Sequence, residues 1–311
     1  MIMKYYISSL ILFVATTFVS CDLLVSEDLL TETQKAIAVN PSEDKGLDSD
    51  YWYSGEAEVS KYALDQYRYR DVHNGGELVT IFVTEDFLTD KQVKNDNYTN
   101  KNSTPILKLN SLRRFTTGIY DYSMMTSVFT RVDGSSTDKV TLSSQDWCGQ
   151  SFVQLNKTGK NKYKIQIRSY FENEGDKDFT VTADLLEDEL FTLLRIDPDM
   201  IPTGKVSILP SLTNLRFSHD NMRSVSANIA KDNNSDGTAS LVLSYEGSRE
   251  VKVTYDTASP HKIRSISDTS LSRGKTSVAT LSKQIKKAYW GANSLSDLPL
   301  RKELSLSGFG D

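Results

Sequence analysis

The strongest constraint on the fold is a two-residue alternation of apolar and polar side chains. Tyr163, Ile165 and Ile167 alternate with lysine, glutamine and arginine over residues 162–168, which is typical of a half-buried antiparallel strand. Residues 78–83, Leu-Val-Thr-Ile-Phe-Val, are apolar almost throughout and favour a central strand. Further short apolar runs lie at residues 106–109, 125–132 and 151–155, separated by Gly, Asn and Asp. This spacing predicts a β-meander.

The C-terminal part carries a hairpin pattern. Residues 240–245 and 250–255 resemble strands and flank a Glu-Gly-Ser-Arg loop of hairpin length, and residues 263–267 predict another strand beside them. Residues 183–196 differ, because Leu186, Leu190, Leu193 and Leu194 lie at helical spacing before Asp197-Pro198. We predict a mainly β fold, a curved antiparallel sheet or half-open barrel with one helix packed on its concave side and a second β region at the C-terminus.

The N-terminus has the pattern of an export signal. Lys4 is followed by an almost wholly apolar stretch over residues 5–19 and then by Ser20 and Cys21. Residues 18–21, Phe-Val-Ser-Cys, resemble a lipobox, whose cysteine is diacylated in bacterial lipoproteins, although Phe18 stands where leucine is more usual. We predict a lipoprotein signal peptide over residues 1–20 and palmitate-type acyl chains on Cys21, which suffice for stable anchoring. The alternative is an ordinary signal peptide followed by an unmodified cysteine.

The start of the folded region is indicated by its aromatic residues. Residues 22–49 contain no aromatic side chain and many acids and amides, so residues 21–49 are predicted to be a flexible tether. Aromatic residues begin at Tyr51-Trp52-Tyr53. We therefore place a β-rich domain at residues 50–214, with its helix near 183–196, and a C-terminal β region at residues 215–311.

Charge and cysteine content exclude some classes of protein. The formal charge is −5, and lysine and arginine are not grouped, which argues against a nucleic-acid partner because phosphate neutralisation needs clustered cations. Besides Cys21 the chain has only Cys148. Once Cys21 is lipidated no intrachain disulfide can form, and the domain must be held by its core.

Motifs for the common catalytic chemistries are missing from the sequence. The three histidines form no His-Glu-x-x-His helix, and no cysteine pair could make a zinc knuckle. Gly274-Lys275-Thr276 imitates the end of a phosphate loop, but Thr269 stands where the loop needs glycine. We also find no Gly-x-Ser-x-Gly elbow. The sequence therefore predicts a non-enzymatic protein without a metal or another cofactor.

One polar segment imitates a calcium loop. Residues 232–237, Asp-Asn-Asn-Ser-Asp-Gly, match the first ligand positions and the turn glycine, but Leu243 stands where the bidentate glutamate belongs. Asn, Asp and Gly also favour tight turns between strands. A turn is therefore our prediction, with a weak calcium site as the alternative.

Clustered acids leave hydrolysis open as an alternative. Glu56 and Glu58 would share a strand face, and Asp184, Glu187, Asp188 and Glu189 crowd the start of the predicted helix. Two carboxylates across a cleft can cleave glycosidic bonds. Acids also favour helix N-termini and wet strand faces, so we expect these side chains to be structural and solvated.

Five residues are candidates for binding a ligand. Trp52 and Tyr53 belong to an aromatic group that could stack on sugar rings, and Trp147 neighbours Cys148. Leu186 and Leu190 lie on the predicted helix, which would cover an apolar cavity against the sheet. Plain packing is the alternative for all five, and Cys148 is predicted to be a small buried hydrophobe.

Several segments together resemble a family of Bacteroidota lipoproteins often labelled "septum formation inhibitor Maf". The resemblance covers most of residues 50–290 and carries no known mechanism. True Maf proteins are nucleotide pyrophosphatases with a Ser-x-Ser-Pro-Arg-Arg loop, which this sequence lacks, so their activity is not expected here. The matching segments are Tyr-Trp-Tyr-Ser-Gly-Glu-Ala-Glu at 51–58, Ile-Phe-Val-Thr-Glu-Asp-Phe at 81–87, residues 117–126, Asp-Trp-Cys-Gly-Gln at 146–150, residues 169–176 and Leu-Glu-Asp-Glu-Leu at 186–190.

Three functions are compatible with these patterns. We expect a lipid-anchored cell-envelope lipoprotein, in the outer rather than the inner membrane, that binds a lipid, a glycan or another envelope protein. A carboxylate-dependent hydrolase of envelope or extracellular glycans is the first alternative, and it requires two acids facing a cleft with a raised pKa on one. A purely structural partner with an exposed aromatic patch is the second.

Overall fold

Sixteen β-strands hydrogen-bond into one sheet in the computed structural model, which describes residues 47–308. The predicted signal peptide, Cys21 and the tether up to residue 46 lie outside the described residues. The strands are β1 (Ala57–Arg68), β2 (Asp71–Leu88), β3 (Val93–Lys94), β4 (Ser103–Thr117), β5 (Tyr120–Arg131), β6 (Thr137–Asp146), β7 (Gly149–Gly159), β8 (Lys162–Ser169), β9 (Lys177–Thr182), β10 (Leu185–Leu186), β11 (Gly204–Leu209), β12 (Val225–Asn233), β13 (Thr238–Tyr245), β14 (Arg249–Asp256), β15 (Ile263–Ser270) and β16 (Lys275–Lys287).

The sheet is open and its strand order follows the chain in two runs. The order is β10-β11-β12-β13-β14-β15-β16-β1-β2-β4-β5-β6-β7-β8-β9, with β3 beside β2. The runs join where β16 pairs antiparallel with β1, for example Ala57 with Lys287. The sheet curves without closing, and its strands pair antiparallel except for the short parallel pair β10–β11. The mainly β prediction is confirmed.

The alternation read from the sequence becomes the two faces of the sheet. In β8, Tyr163, Ile165 and Ile167 are buried in the core. Residues 78–83 lie in β2, between β1 and β4, which confirms a central strand. The hairpin prediction is also confirmed, because β13 and β14 pair around the loop at residues 246–248 and β15 adds beside β14.

Helices α1 (Ser49–Trp52), α2 (Leu190–Ile196), α3 (Leu212–Ser218) and α4 (Leu298–Glu303) accompany the sheet, with 3-10 turns at Glu187–Glu189, Pro198–Met200, Tyr289–Gly291 and Leu295–Asp297. Asp48 caps α1 by accepting from the Tyr51 N–H at 3.1 Å. Leu47 is buried in the core. Residues 47–49, which the sequence placed in the tether, therefore belong to the fold.

The predicted helix over residues 183–196 starts later than its pattern indicated. Leu185 and Leu186 are extended and pair with Ile208 and Leu209 of β11, because the edge of the sheet uses their backbone groups. The Glu189 carboxylate then accepts from the Leu186 N–H at 2.8 Å, and α2 begins at Leu190. The leucines at helical spacing are nevertheless all buried in the core, as predicted.

One hydrophobic core fills the concave side of the sheet. It joins inward side chains from both runs of strands with α2 and α3. Residue 215, near which a second β region was predicted to begin, lies inside α3, and β11 before it pairs with β12 after it. In the described part of the chain, we see no helix with the length and apolar character needed to cross a bilayer.

Candidate functional site

A cavity lies between the concave face of the sheet and helices α2 and α3. Its volume is about 100 Å³, and β1, β2, β4, β5 and β14–β16 contribute to its walls. It adjoins an outer cleft of about 500 Å³. We call the two spaces the inner chamber and the outer cleft. Both are lined by Gln66, Asn214, Phe217, Arg249, Asp268 and Ser277.

The sheet register sets the floor of the inner chamber in rows. Phe82, Leu109 and Val128 lie side by side on β2, β4 and β5 and form an apolar row. Two residues further along β4, Ser111 lies between two threonines and gives a small, polar row. The next inward residue of β4 is Arg113, which lies between Leu78 and Met124. The floor therefore changes from apolar to cationic within four residues of one strand.

The roof depends on the turn before α2. Phe191 of α2 lines the chamber directly. Glu187 accepts from the Ser211 N–H at 3.0 Å and Asp188 from the Leu212 N–H at 2.9 Å. These carboxylates thus fasten the start of α3 over the cavity, and the expectation that they are solvated is wrong, since both are buried.

Glu187 and Arg249 form the centre of a buried charge network. Arg249 donates to both Glu187 oxygens at 2.8 and 2.7 Å and to both Asp268 oxygens at 2.7 and 2.8 Å. The Tyr245 hydroxyl also donates to Glu187. Burial alone would raise the pKa of Glu187, but the Arg249 guanidinium outweighs it and holds that pKa below its ordinary value. Glu187 is thus ionised and fully engaged.

Asp188 lies beside this network in a different electrostatic state. Burial raises the pKa of Asp188 to about 7, although its hydrogen bond from Leu212 N–H opposes the rise. The neighbouring carboxylates of Glu187 and Glu189 raise it further. A sizeable fraction of Asp188 is therefore protonated and neutral at pH 7.

Arg113 is the cation of the inner chamber that lacks a carboxylate partner. Its guanidinium donates to Gln66 Oε1 at 2.5 Å, and within residues 47–308 no carboxylate lies at salt-bridge distance from it. Burial lowers the pKa of Arg113 to about 10, so the side chain still carries its charge at neutral pH.

Glu58 of β1 lies beside Phe82 at the end of the apolar row and pairs with an arginine of α2. Arg195 binds both Glu58 oxygens at 2.5 Å and donates from Nε to the Pro260 carbonyl at 2.8 Å. Both side chains of the pair have zero exposure. The expectation that Glu58 faces water is therefore wrong, because the strand turns this side chain toward α2, where Arg195 compensates its charge.

The five candidate ligand residues do not line the inner chamber or the outer cleft. Trp52, Leu186 and Leu190 are buried in the core, and the face of Trp52 lies 4.9 Å from the Arg195 guanidinium. Tyr53 is half-buried. Trp147 is 67% exposed in the turn between β6 and β7. Plain packing thus accounts for the three buried residues.

The turn at Trp147 belongs to an aromatic rim at one end of the strands. Cys148 is exposed there, so its predicted burial is wrong. The Cys148 N–H donates to Asp146 Oδ1 at 2.9 Å, and this tight turn leaves the thiol outside the core. The Tyr69 hydroxyl lies 2.6 Å from that of Tyr120 and 2.7 Å from that of Tyr122. The three tyrosine side chains of this rim are therefore held in place by hydrogen bonds between their hydroxyls.

The calcium-like segment is a turn, as predicted. Residues 234–237 connect β12 and β13, and Asp236 Oδ1 accepts from the Thr238 N–H at 3.1 Å. Among residues 47–308 no group of three or more His, Cys, Asp or Glu side chains is arranged to hold a metal ion.

The sequence patterns did not identify the residues that define the cavity. Arg113 continues the inward period of Leu107 and Leu109 along β4, and a cation at an inward strand position is a signal that could have identified it. Gln66, Arg249 and Asp268 carried no comparable signal, because they meet only through the non-local pairing of the strands.

Known proteins show little similarity to this chain. No protein-family model and no curated protein matches the chain. Among solved structures, a β-barrel-like protein of a domain of unknown function, DUF1849, from Brucella abortus superposes with a TM-score of 0.42 at 7% identity, covering 74% of this chain and 98% of that chain. A similarity of this size supports no argument about function.

Proposed function

We propose that the protein is a lipid-anchored lipoprotein of the bacterial cell envelope that binds a small amphiphilic molecule and catalyses no reaction. The observation that carries the proposal is the inner chamber, whose floor is apolar at one end and cationic at the other. Ligand sites combine apolar walls with a few placed polar groups in this way. The lipobox-like residues 18–21 and the resemblance to Bacteroidota lipoproteins support the anchor and the expected outer-membrane location.

The energetics of the chamber favour a ligand over a packing defect. A void in a protein core destabilises the fold in proportion to its volume, and an unneutralised charge facing an apolar wall adds a desolvation cost. A bound amphiphile would relieve both costs, because its hydrocarbon part fills the void and its polar part contacts the charge.

Native mass spectrometry of protein isolated from its own host's envelope tests the binding role. Replacing residues 1–21 by a signal peptide without a lipobox exports the chain without a lipid anchor and removes the need for detergent, itself an amphiphile. We expect a small molecule bound at one copy per chain. Ser111→Leu, which adds bulk to the chamber floor, should reduce its occupancy, whereas Ser123→Leu on the exposed face of β5 should not. An empty chain would reject tight binding and favour a structural role with a protein partner.

The anchor and location need a separate measurement. In the host grown with labelled palmitate, we expect label in the wild-type chain, none in Cys21→Ser, and the wild-type chain in the outer-membrane fraction. An unlabelled wild-type chain would reject the anchor.

One observation supports the alternative of a carboxylate-dependent glycan hydrolase. Asp188 has a raised pKa and lines the chamber together with Glu187, as a general acid requires. Glu187, however, is occupied by Arg249, Tyr245 and a backbone N–H, so it is a poor nucleophile or base. We expect no release of reducing ends from peptidoglycan fragments. Activity lost in Asp188→Asn and retained in the exposed control Asp184→Asn would reverse this conclusion.

A further inference from the structure

We infer that the inner chamber selects an amphiphile with one anionic head group, a carboxylate or a phosphate, which binds the Arg113 guanidinium. The inference rests on the proposed binding function and adds the chemical class of the ligand. Its basis is the pairing of the charges that line the chamber, the location of Arg113 within it, and the charge of the entrance.

One of the two arginines of the chamber has no salt bridge. Besides the Tyr62 hydroxyl, five titratable side chains line the chamber: Arg113, Glu187, Asp188, Arg249 and Asp268. Arg249 is bound by both Glu187 and Asp268, while burial keeps a sizeable fraction of Asp188 protonated at pH 7. With Asp188 neutral the lining charges sum to zero, but Asp268 is engaged by Arg249 and attracts Arg113 only from beyond salt-bridge distance. Among the described residues, no carboxylate therefore contacts the Arg113 guanidinium.

Other buried arginines of the fold are compensated. Arg195 is paired with Glu58, and Arg216 donates to Asp146 at 2.9 Å. Arg113 instead contacts a neutral amide, Gln66. Since a guanidinium has five N–H donors in a planar fork that matches a carboxylate or phosphate, most of its donor capacity faces the chamber without an anionic acceptor.

The position of Arg113 fixes how a ligand would lie. Gln66, its hydrogen-bond partner, lines both the inner chamber and the outer cleft, so the guanidinium lies near their junction. Leu109 is four residues earlier on the same inward face, beside Phe82 of β2, and both line the chamber. The head group would therefore bind at the junction and a short hydrocarbon tail would extend inward. The chamber volume of about 100 Å³ is below the about 150 Å³ of a cavity that holds a benzene ring, so it suits a slender, unbranched chain rather than a ring.

The entrance has a charge that suits an anion. Arg68, Arg249 and Arg273 line the outer cleft together with two carboxylates, Asp220 and Asp268, of which Asp268 is paired with Arg249, so cations are in excess. Arg68 is held by the Phe217 carbonyl at 2.7 Å and by the faces of Tyr69 and Phe217, at 4.4 and 4.8 Å from their centroids. None of these contacts neutralises its charge. Cations at the mouth of a cleft raise the local concentration of anionic ligands.

Isothermal titration calorimetry of the mature chain with Cys21→Ser tests the inference, using octanoate, octyl phosphate and octanol as probes of equal tail length. We expect octanoate or octyl phosphate to bind at least about tenfold more tightly than octanol, because a charge-assisted hydrogen bond is worth that factor or more. The tighter anion identifies the head group. Arg113→Gln should abolish the preference, Arg113→Lys should keep part of it, and Arg264→Gln, which disrupts a surface pair with Asp256, should leave it unchanged.

The outcomes distinguish the choice of an anionic head group from amphiphile binding itself. Octanol binding as tightly as both anions, or an undiminished preference in Arg113→Gln, would overturn the anionic head group but leave amphiphile binding intact. Failure of all three probes to bind would overturn the proposed function as well. Circular dichroism of each variant ensures that a lost preference does not reflect lost folding.

Discussion

Two arginines on the concave side of the same sheet, Arg195 of α2 and Arg113 of β4, have opposite surroundings. Arg195 is enclosed by the Glu58 carboxylate, the Pro260 carbonyl and the rings of Trp52 and Phe82. Arg113 lies four residues along β4 from the apolar row and contacts Gln66 at the edge of a cavity. The fold satisfies the first cation with its own groups and leaves the second facing open space, which distinguishes a structural charge from one available to a ligand.

The contrast also explains why exposure alone does not identify the site. Arg195 and Glu58 are the more deeply buried pair, yet their donors and acceptors are saturated, so nothing remains for a ligand. Arg113 is only half-buried and lines the chamber. Hydrogen-bond donors without acceptors in a concave space are therefore a better guide to a ligand site than exposure.

The largest effect is expected where the structural charge pair is broken. Glu58→Gln or Arg195→Met should lower the free energy of unfolding by about 3–5 kcal/mol, because either change leaves a buried charge without its partner. The double variant Glu58→Leu with Arg195→Met should recover much of that loss. Urea unfolding of the four chains measures this, and losses below about 1 kcal/mol for both single variants would contradict the structural role.

A somewhat smaller effect is expected at Asp188 and depends on pH. Its pKa is about 7 when folded, against 3.8 for the unperturbed group, so the folded chain binds the proton more tightly than the unfolded chain. The contribution to stability is complete below about pH 4 and is lost as pH rises through 7, with an order of magnitude of about 2–4 kcal/mol. Asp188→Asn should match the wild type at pH 4 and exceed its stability at pH 8. If the free energy of unfolding had the same dependence on pH in the wild type and in Asp188→Asn, the raised pKa of Asp188 would be contradicted.

A still smaller effect is expected at the ligand-facing cation. In the ligand-free chain, Arg113→Gln should change the free energy of unfolding by less than about 1 kcal/mol, since no ion pair is lost and a desolvated charge is removed. Urea unfolding under the conditions used for Arg195→Met gives a direct comparison. A loss as large as that of Arg195→Met would place Arg113 among the structural residues.

The smallest effect is expected on the surface. Arg264 donates to Asp256 at 2.7 Å, and its side chain is 50% exposed. Arg264→Gln should lower stability by about 0–1 kcal/mol, and added salt should shrink the difference. A loss above 2 kcal/mol would show that exposure is a poor guide to the strength of ion pairs in this fold.

Local patterns in the sequence predicted local elements well. The alternation at Tyr163, Ile165 and Ile167 gave β8, and the helical spacing of Leu190, Leu193 and Leu194 gave the buried face of α2. Both follow from the period at which side chains return to one face. The start of α2 was misplaced because pairing at the sheet edge, a tertiary effect, determines the conformation of Leu185 and Leu186.

The candidate site could not be predicted in the same way. Glu58 and Arg195 are 137 residues apart, and Arg249 and Glu187 are 62 apart, so no local pattern indicates which arginine finds a carboxylate. The choice of partner depends on non-local pairing, such as that of β16 with β1, which joins the last and first strands of the chain. Aromatic content drew attention to Trp52 instead, which packs against Arg195 as part of the core.

The most direct test of the central claim is a crystal structure of the mature chain with Cys21→Ser bound to 8-bromooctanoate, located by the anomalous signal of bromine. We predict the carboxylate within about 3 Å of the Arg113 guanidinium and the bromine at the apolar end of the chamber, near Phe82 and Leu109. Bromine in the outer cleft or on the surface, with Arg113 contacting only Gln66, would contradict it.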